Sequence, residues 1–258
     1  MQSRLRRLFG QVTRSVFWVI PVAAMLAAGC STSSTGAYQY DCPEGKLVQL
    51  SLLDLSSSGR SEDVLGERLD AIQVDAERVA DCEGTLSVMA WSLSSAASTT
   101  LFRGDLATSG ATEIGRDRKI EKTISKTMES IRTALTSAFE KIDPTGSNLA
   151  GAFALAADQK LTLTEGENLE VRIYGDAIST VGSDSINSPM ITVEEVNKLV
   201  ENLAPVDLDG VPVTLVGVGK TGGSIQPPQD YINVVRAYAD AMCRHSGATC
   251  TILTSITN

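Results

Sequence analysis

The chain has 258 residues, with 22 Lys and Arg, 31 Asp and Glu, and a formal net charge of −9. So acidic a chain lacks the basic surface with which nucleic-acid-binding proteins hold phosphate, and we predict no nucleic-acid partner. Its single histidine, His245, counts against hydrolases of the Ser-His-Asp or Cys-His type. We expect a protein that is not an enzyme.

The first 29 residues are typical of a secretion signal. Arg4, Arg6, Arg7 and Arg14 form a positive stretch without acidic residues, and residues 16–28 are an apolar run of 13 residues. A transmembrane helix needs about 20 apolar residues, so the shorter run predicts a signal peptide at residues 1–29. Its removal leaves 18 basic and 31 acidic residues, a formal charge of −13.

The signal ends in Leu-Ala-Ala-Gly-Cys at residues 26–30, which resembles the lipobox of bacterial lipoproteins. Ala27 stands where that family more often has Leu, and an ordinary signal peptide cut at a small-residue site is the alternative. The resemblance implies a lipidated Cys30 followed by a polar linker, residues 30–43. It also implies a membrane anchor in the cell envelope, at the outer membrane facing the periplasm or on the outer face of the cell membrane.

Beyond the linker, apolar residues alternate between strand and helix spacing. Strands are predicted at residues 47–53, 85–91, 99–105, 169–174, 213–218 and 249–253. Helices are predicted at residues 62–80, 113–142, 148–159, 192–203 and 229–244. Strands separated by helices predict an α/β fold with a doubly wound, mostly parallel sheet and helices on both faces. Residues 44–258 are predicted to form one domain.

Oxygen-bearing side chains follow two of these strands. Asp54, Ser56 and Ser58 come at the end of the first strand, and Asp176 follows the fourth. In the commonest doubly wound order these strands are neighbours across the switch point, where ligands bind. Carboxylate and hydroxyl oxygens suit a hard cation, Mg²⁺ or Mn²⁺. A Ser-rich turn without a ligand is the alternative.

Three segments together resemble the metal-site loops of von Willebrand factor type A domains. They are residues 54–58, 145–149 and 173–176, in the order of that family, and the resemblance covers roughly residues 44–255. It implies the Rossmann-like fold of the family and a Mg²⁺ or Mn²⁺ ion at the carboxyl ends of the strands.

The hydroxyl ligands follow from this resemblance residue by residue. Ser56 and Ser58 would coordinate the ion directly. The family's second loop supplies a Thr, and the aligned residue here is Ser147, with Thr145 as its substitute. A hydroxyl is therefore kept in either case.

The carboxylates Asp54 and Asp176 would hold waters bound to the ion. The third loop of the family usually reads Thr-Asp-Gly, whereas this chain has Gly175, Asp176 and Ala177. The glycine of that loop is therefore replaced by Ala177 in this chain. A degenerate site without metal is the alternative.

The function implied by the resemblance is adhesion, in which a partner protein offers a carboxylate to the open position of the ion. A metal-free structural or assembly lipoprotein of an envelope complex is the first alternative. A metal-dependent hydrolase is a weaker one.

Four cysteines remain beside Cys30: Cys42, Cys82, Cys243 and Cys250. An even number fits disulfides in an oxidising compartment, whereas the spacing and the lone histidine do not fit zinc. Four cysteines allow three pairings. In the implied fold Cys42 and Cys82 each precede one of two neighbouring parallel strands, and Cys243 and Cys250 lie at the same end of the sheet. We therefore favour Cys42 with Cys82 and Cys243 with Cys250.

Residues 217–221, Gly-Val-Gly-Lys-Thr, are similar to the end of a phosphate-binding loop. The full pattern needs a further Gly where Thr214 stands. Pro227 and Pro228 also interrupt the helix that would have to begin there. We predict no nucleotide partner.

Overall fold

A computed structural model describes residues 40–222 and 226–255. The predicted signal peptide and Cys30 lie outside these residues. The strands are β1 (Lys46–Asp54), β2 (Thr85–Trp91), β3 (Thr99–Asp105), β4 (Glu167–Tyr174), β5 (Pro212–Val216) and β6 (Thr249–Leu253). The α-helices are α1 (Glu62–Asp81), α2 (Glu113–Lys141), α3 (Leu149–Lys160), α4 (Val193–Glu201) and α5 (Gln229–Ser246). A short 3₁₀ helix at Ser95–Ala97, which the sequence analysis did not predict, precedes β3.

The strands of the described residues form one sheet in the order β3-β2-β1-β4-β5-β6. Every pair is parallel except β2 with β3, which is antiparallel. The chain therefore builds outward from β1 in one direction and then from β4 in the other. This confirms the doubly wound, mostly parallel fold and places the switch point between β1 and β4.

Alternating side chains of β1 divide the interior into two apolar cores. Val48, Leu50 and Leu52 pack towards α3, α4 and α5, and Leu47 and Leu53 pack towards α1 and α2. Because both faces of β1 are buried, its sequence is almost continuously apolar, as expected for a central parallel strand.

The helices lie on both faces of the sheet, as predicted, but they cover the two faces unequally. α1 contacts β1 and β2, and α2 contacts β3. On that face, Thr249 and Thr251 of β6 are exposed within the described part of the chain. The threonines at this position fit a face that remains in contact with solvent.

Local signals account for where the elements begin and end. Asn148 caps α3 by accepting a hydrogen bond from the amide of Gly151, and Thr192 forms a capping box with Glu195 at the start of α4. β5 ends at Val216, two residues earlier than predicted. Gly217 adopts a φ of 91°, which stops the strand.

Two disulfides lie at the amino ends of the parallel strands. Cys42, ahead of β1, pairs with Cys82 at the end of α1, and Cys243 in α5 pairs with Cys250 in β6. The Cα–Cα distances are 5.4 and 6.0 Å. This is the pairing that the sequence analysis favoured, and each bridge contributes about 2–4 kcal/mol to stability.

A group of polar side chains is buried between α1 and the sheet. The hydroxyls of Ser51 (β1) and Tyr174 (β4) each donate to Asp75 Oδ2 of α1 at 2.7 Å. Arg172 Nη1 lies 2.8 Å from Asp75 Oδ1, as an ion pair whose angle is outside hydrogen-bond geometry. We call these four residues the Asp75 cluster. They tie α1 to both central strands.

Among the described residues, no helix has the length and apolar character to cross a membrane.

Candidate metal centre

The five metal-site residues named from the sequence come together at the carboxyl end of the sheet, on both sides of the switch point. All but Ser58 are almost completely buried, and Ser58 is half-buried. They are Asp54 at the end of β1, Ser56 and Ser58 in the loop after it, Ser147 just before α3, and Asp176 just after β4. We call them the carboxyl-end cluster.

The loop after β1 folds back onto the carboxylate that begins it. Asp54 Oδ1 accepts the amide of Ser56 at 2.8 Å, and Oδ2 accepts the Ser56 hydroxyl at 3.0 Å. A Cβ at Gly59 would lie 2.2 Å from the carbonyl oxygen of Asp54 and 2.7 Å from Arg68 Nη1. Glycine is therefore required at residue 59 for the loop to close.

The second loop brings Ser147 against the same carboxylate. Its hydroxyl donates to Asp54 Oδ2 at 3.1 Å. Two hydrogen bonds to Thr180 hold its backbone: Ser147 N donates to Thr180 Oγ1 at 2.9 Å, and Thr180 N donates to Ser147 O at 2.8 Å. Thr145 is exposed, and its amide donates to Asp143. Ser147, rather than its substitute Thr145, thus reaches the carboxylates.

The third loop supplies Asp176. Its Oδ2 accepts the Ser58 hydroxyl at 2.6 Å, and its Oδ1 accepts the amide of Ile178 at 2.9 Å. The carbonyl oxygen of Asp176 accepts the amide of Gly219 at 2.8 Å. Ala177 has a φ of 60°, so the turn keeps the left-handed conformation that glycine would favour at this position.

The two carboxylates are close enough to influence each other electrostatically. Burial, and after it the charge of Asp176, raise the pKa of Asp54 from its usual 3.8 to about 6. The guanidinium of Arg68 and the hydrogen bonds from Ser56 act in the opposite direction. The cluster therefore holds more negative charge than its own hydrogen bonds neutralise.

The donor set fits a hard divalent cation. The hydroxyls of Ser56, Ser58 and Ser147 each donate a hydrogen bond to a carboxylate, which leaves their lone pairs free to face an ion. The Oγ atoms of Ser56 and Ser58 lie 3.2 Å apart. Neighbouring oxygens around an octahedral Mg²⁺ are about 3 Å apart.

No three His, Cys, Asp or Glu side chains of the described residues gather as a metal-binding group. The carboxyl-end cluster has only two carboxylates, and its remaining oxygens belong to hydroxyls. A cation held here would therefore keep several of its waters, as Mg²⁺ usually does.

A cavity of about 240 Å³ opens beside the cluster. Serine, threonine, proline and isoleucine side chains surround it, and Asp176 is the one acidic residue among the described residues that line it. It is lined by Ser56, Ser57, Ser58, Pro144, Thr145, Gly146, Ser147, Asp176, Ile178, Thr180 and Thr221. The cluster therefore faces a space that a small side chain from another molecule could enter.

The loop at residues 217–221 has no amides free for phosphate at its centre. Gly217 and Val218 donate to Leu253 O, Gly219 donates to Asp176 O, and Lys220 donates to Gly217 O. Its role is to brace the third loop of the cluster. His245, near the disulfide Cys243–Cys250, has a ring nitrogen 3.3 Å from Ala204 O.

Sequence reasoning missed two residues that shape the site, Gly59 and Arg68. Arg68 Nη1 donates to the carbonyl oxygen of Asp54 at 3.1 Å. A signal was present, since Arg68 stands at helical spacing from Val64 and Ile72 on the apolar face of α1. A charged residue within such a face indicates a buried partner.

No family model matches the chain, and no curated protein matches it. Among solved structures, it is similar to an aerotolerance-related membrane protein from Bacteroides fragilis (17% identity, TM-score 0.39, 83% of this chain and 92% of that one). It is also similar to the conserved hypothetical protein BatB from Bacteroides thetaiotaomicron (16% identity, TM-score 0.42, 83% of this chain and 91% of that one). A third similar structure is proximal thread matrix protein 1 of the mussel byssus (11% identity, TM-score 0.45, 82% of this chain and 45% of that one). At these identities and TM-scores the likeness carries no functional argument.

Proposed function

We propose that this protein is an envelope lipoprotein with a von Willebrand factor A-like domain that binds a partner protein through a metal-ion-dependent adhesion site. The observation that carries the proposal is the convergence of two buried carboxylates and three hydroxyls from three separate loops. The membrane anchor rests on the sequence before residue 40. We propose no catalytic role.

In the proposed site, Ser56, Ser58 and Ser147 would hold a Mg²⁺ or Mn²⁺ ion, and Asp54 and Asp176 would hold its waters. When bound, the ion would supply an electrophilic position for an anionic ligand. Asp54 orients two of the hydroxyls by accepting their hydrogen bonds, and Asp176 orients the third. The adjoining cavity admits the carboxylate-bearing side chain of the partner.

One observation favours a second function, a metal-free scaffold in an envelope complex. The hydroxyls of Ser56 and Ser147 donate to Asp54, and the hydroxyl of Ser58 donates to Asp176, so each hydroxyl has a partner without a cation. In that case a partner would bind without depending on divalent ions.

A calorimetric titration of Mg²⁺ and of Mn²⁺ into the chain without its signal peptide distinguishes the adhesion site from the metal-free scaffold. We expect saturable binding that Asp54→Ala abolishes. Ser57→Ala is the matched control, because Ser57 lies in the same loop and donates only to Pro144 O. This variant should bind within about threefold of the unmodified protein. Absence of binding in all three proteins would contradict the adhesion site.

The partner is tested separately, by capture from solubilised envelopes with Mg²⁺ or with EDTA. A protein that is held only with Mg²⁺, and not by Asp54→Ala, supports adhesion through the ion. A protein that is held equally with EDTA supports the scaffold.

A further inference from the structure

Arg68 carries a positive charge that is buried directly behind the carboxyl-end cluster. Its residue is 2% exposed, and its Nη1 donates to the carbonyl oxygen of Asp54 at 3.1 Å. Within residues 40–222 and 226–255, no carboxylate lies at ion-pair distance from it. Arginine is seldom buried without a paired carboxylate. The charge of this residue therefore calls for an explanation beyond its one hydrogen bond.

The loop after β1 is shaped to admit this guanidinium. A Cβ at residue 59 would lie 2.7 Å from Arg68 Nη1, so Gly59 leaves the room it occupies. Burial lowers the pKa of Arg68, and the charges of Asp54, Asp176 and, after them, Glu67 oppose this by stabilising the charged guanidinium. Glu67 is itself paired with Lys220, whereas Arg68 stabilises the ionised form of Asp54. Arg68, Asp54 and Asp176 are all buried, and interactions between buried charges are weakly screened.

The formal charges decide what such a site attracts. Asp54, Asp176 and Arg68 together carry a charge of −1, and a bound divalent cation changes this to +1. Without Arg68 the same loaded site would be neutral. A site with one excess positive charge attracts a single carboxylate, whereas a neutral site does so more weakly.

We propose that Arg68 is a specificity-determining residue that weakens the binding of the divalent cation and strengthens the binding of an anionic ligand by the loaded site. This inference rests on the proposed function. The alternative role of Arg68 is to fix the end of β1 to α1 through the carbonyl of Asp54. The two roles predict opposite changes in cation affinity, because loss of a purely structural contact would loosen the loop and weaken the site.

The test is calorimetric titration of Mg²⁺ into the mature chain, residues 30–258, in detergent micelles. Arg68→Met removes the charge and keeps most of the volume. We expect its Kd for Mg²⁺ to fall by about tenfold. Arg68→Lys keeps the charge and should stay within about threefold of the unmodified protein. Arg132→Met, an exposed residue of α2, changes the net charge equally and should also stay within about threefold.

Acetate serves as the anion probe, titrated into the Mn²⁺-loaded protein and followed by the relaxation of water protons. We expect Arg68→Met to bind acetate at least about threefold more weakly than the unmodified protein, although it binds the cation more tightly. Opposite changes in the two affinities support the proposal.

Three results would overturn the inference while the adhesion site stands: Mg²⁺ binding by Arg68→Met that is unchanged or weaker, equal tightening by Arg68→Lys, or acetate binding that does not fall. If the unmodified protein binds no Mg²⁺, the proposed function fails and the inference fails with it. Should Arg68→Met not fold, Arg68→Gln gives the same test, since its amide can still donate to the carbonyl of Asp54.

Discussion

The Asp75 cluster and the carboxyl-end cluster lie at different positions along the central strands β1 and β4, and they differ in how their carboxylate charges are balanced. In the Asp75 cluster one carboxylate receives two hydroxyls and the guanidinium of Arg172, so its charge is balanced inside the protein. In the carboxyl-end cluster two carboxylates share three hydroxyls, and Arg68 reaches only a carbonyl oxygen.

Position along the strands explains the difference. Ser51 lies in the middle of β1, beneath α1, where Ser51, Asp75 and Tyr174 are buried and only Arg172 is partly exposed. Asp54 lies at the end of β1, where loops replace the helix and a cavity of about 240 Å³ adjoins the site. A buried aspartate that faces the middle of the sheet must be neutralised by the protein itself, whereas one at the strand ends can leave this to a ligand.

The largest expected effect on stability comes from removing the carboxylate of the Asp75 cluster. Asp75→Ala leaves the guanidinium of Arg172 and the hydroxyls of Ser51 and Tyr174 without their acceptor. We expect the free energy of unfolding to fall by about 3–5 kcal/mol in urea denaturation. Asp70→Ala, at an exposed residue of the same helix, should change it by less than about 0.5 kcal/mol. Equal small losses in both variants would show that the Asp75 cluster does not hold α1.

A smaller effect is the pH dependence of the free energy of unfolding that Asp54 contributes, measured in the presence of EDTA. The pKa of Asp54 is raised from 3.8 to about 6, so the folded protein keeps a proton that the unfolded chain has lost between these values. The free energy of unfolding contributed by Asp54 therefore falls as the pH rises from about 4 to about 6, by roughly 2–3 kcal/mol.

Asp54→Asn should flatten this part of the pH dependence in urea denaturation, because the amide does not titrate. Burial also raises the pKa of Asp75, and the charge of Arg172 opposes that rise. The contribution of Asp75 remains in the variant, so the difference between the two proteins reports Asp54 together with its electrostatic coupling to Asp176. An identical slope in both proteins would refute the assignment.

The smallest effect concerns backbone strain beside Asp176. Ala177 has a φ of 60°, a conformation that glycine adopts without cost. We expect Ala177→Gly to raise the free energy of unfolding by about 0.5–1 kcal/mol, measured by thermal and urea denaturation. Ala107→Gly, in a loop where φ is not positive, should lower it by a similar amount. A lower free energy of unfolding in both variants would mean that the backbone at residue 177 is not strained.

Much of the fold could be predicted because its signals are local. The buried run of β1, the apolar stripe of α2 and the capping residues Asn148 and Thr192 each act within a few residues of the chain. The end of β5 at Val216 was predicted two residues late, because the conformation of Gly217 is not visible in apolar spacing. The exposed side of β6 was not predicted either. Which side of an edge strand is covered depends on where helices distant in the sequence pack.

For the site, apolar spacing along the chain predicts the strands, and therefore which oxygens stand at the ends of β1 and β4, because Asp54 and Asp176 follow the predicted strands. That Ser147 rather than Thr145 reaches Asp54, and that Arg68 lies beneath the loop, depends instead on how the folded loops pack. These contacts join residues up to 93 positions apart, and their geometry depends on how the loops pack against one another. A sequence specifies the chemical groups available at a site, whereas the packing of the chain decides which of them meet.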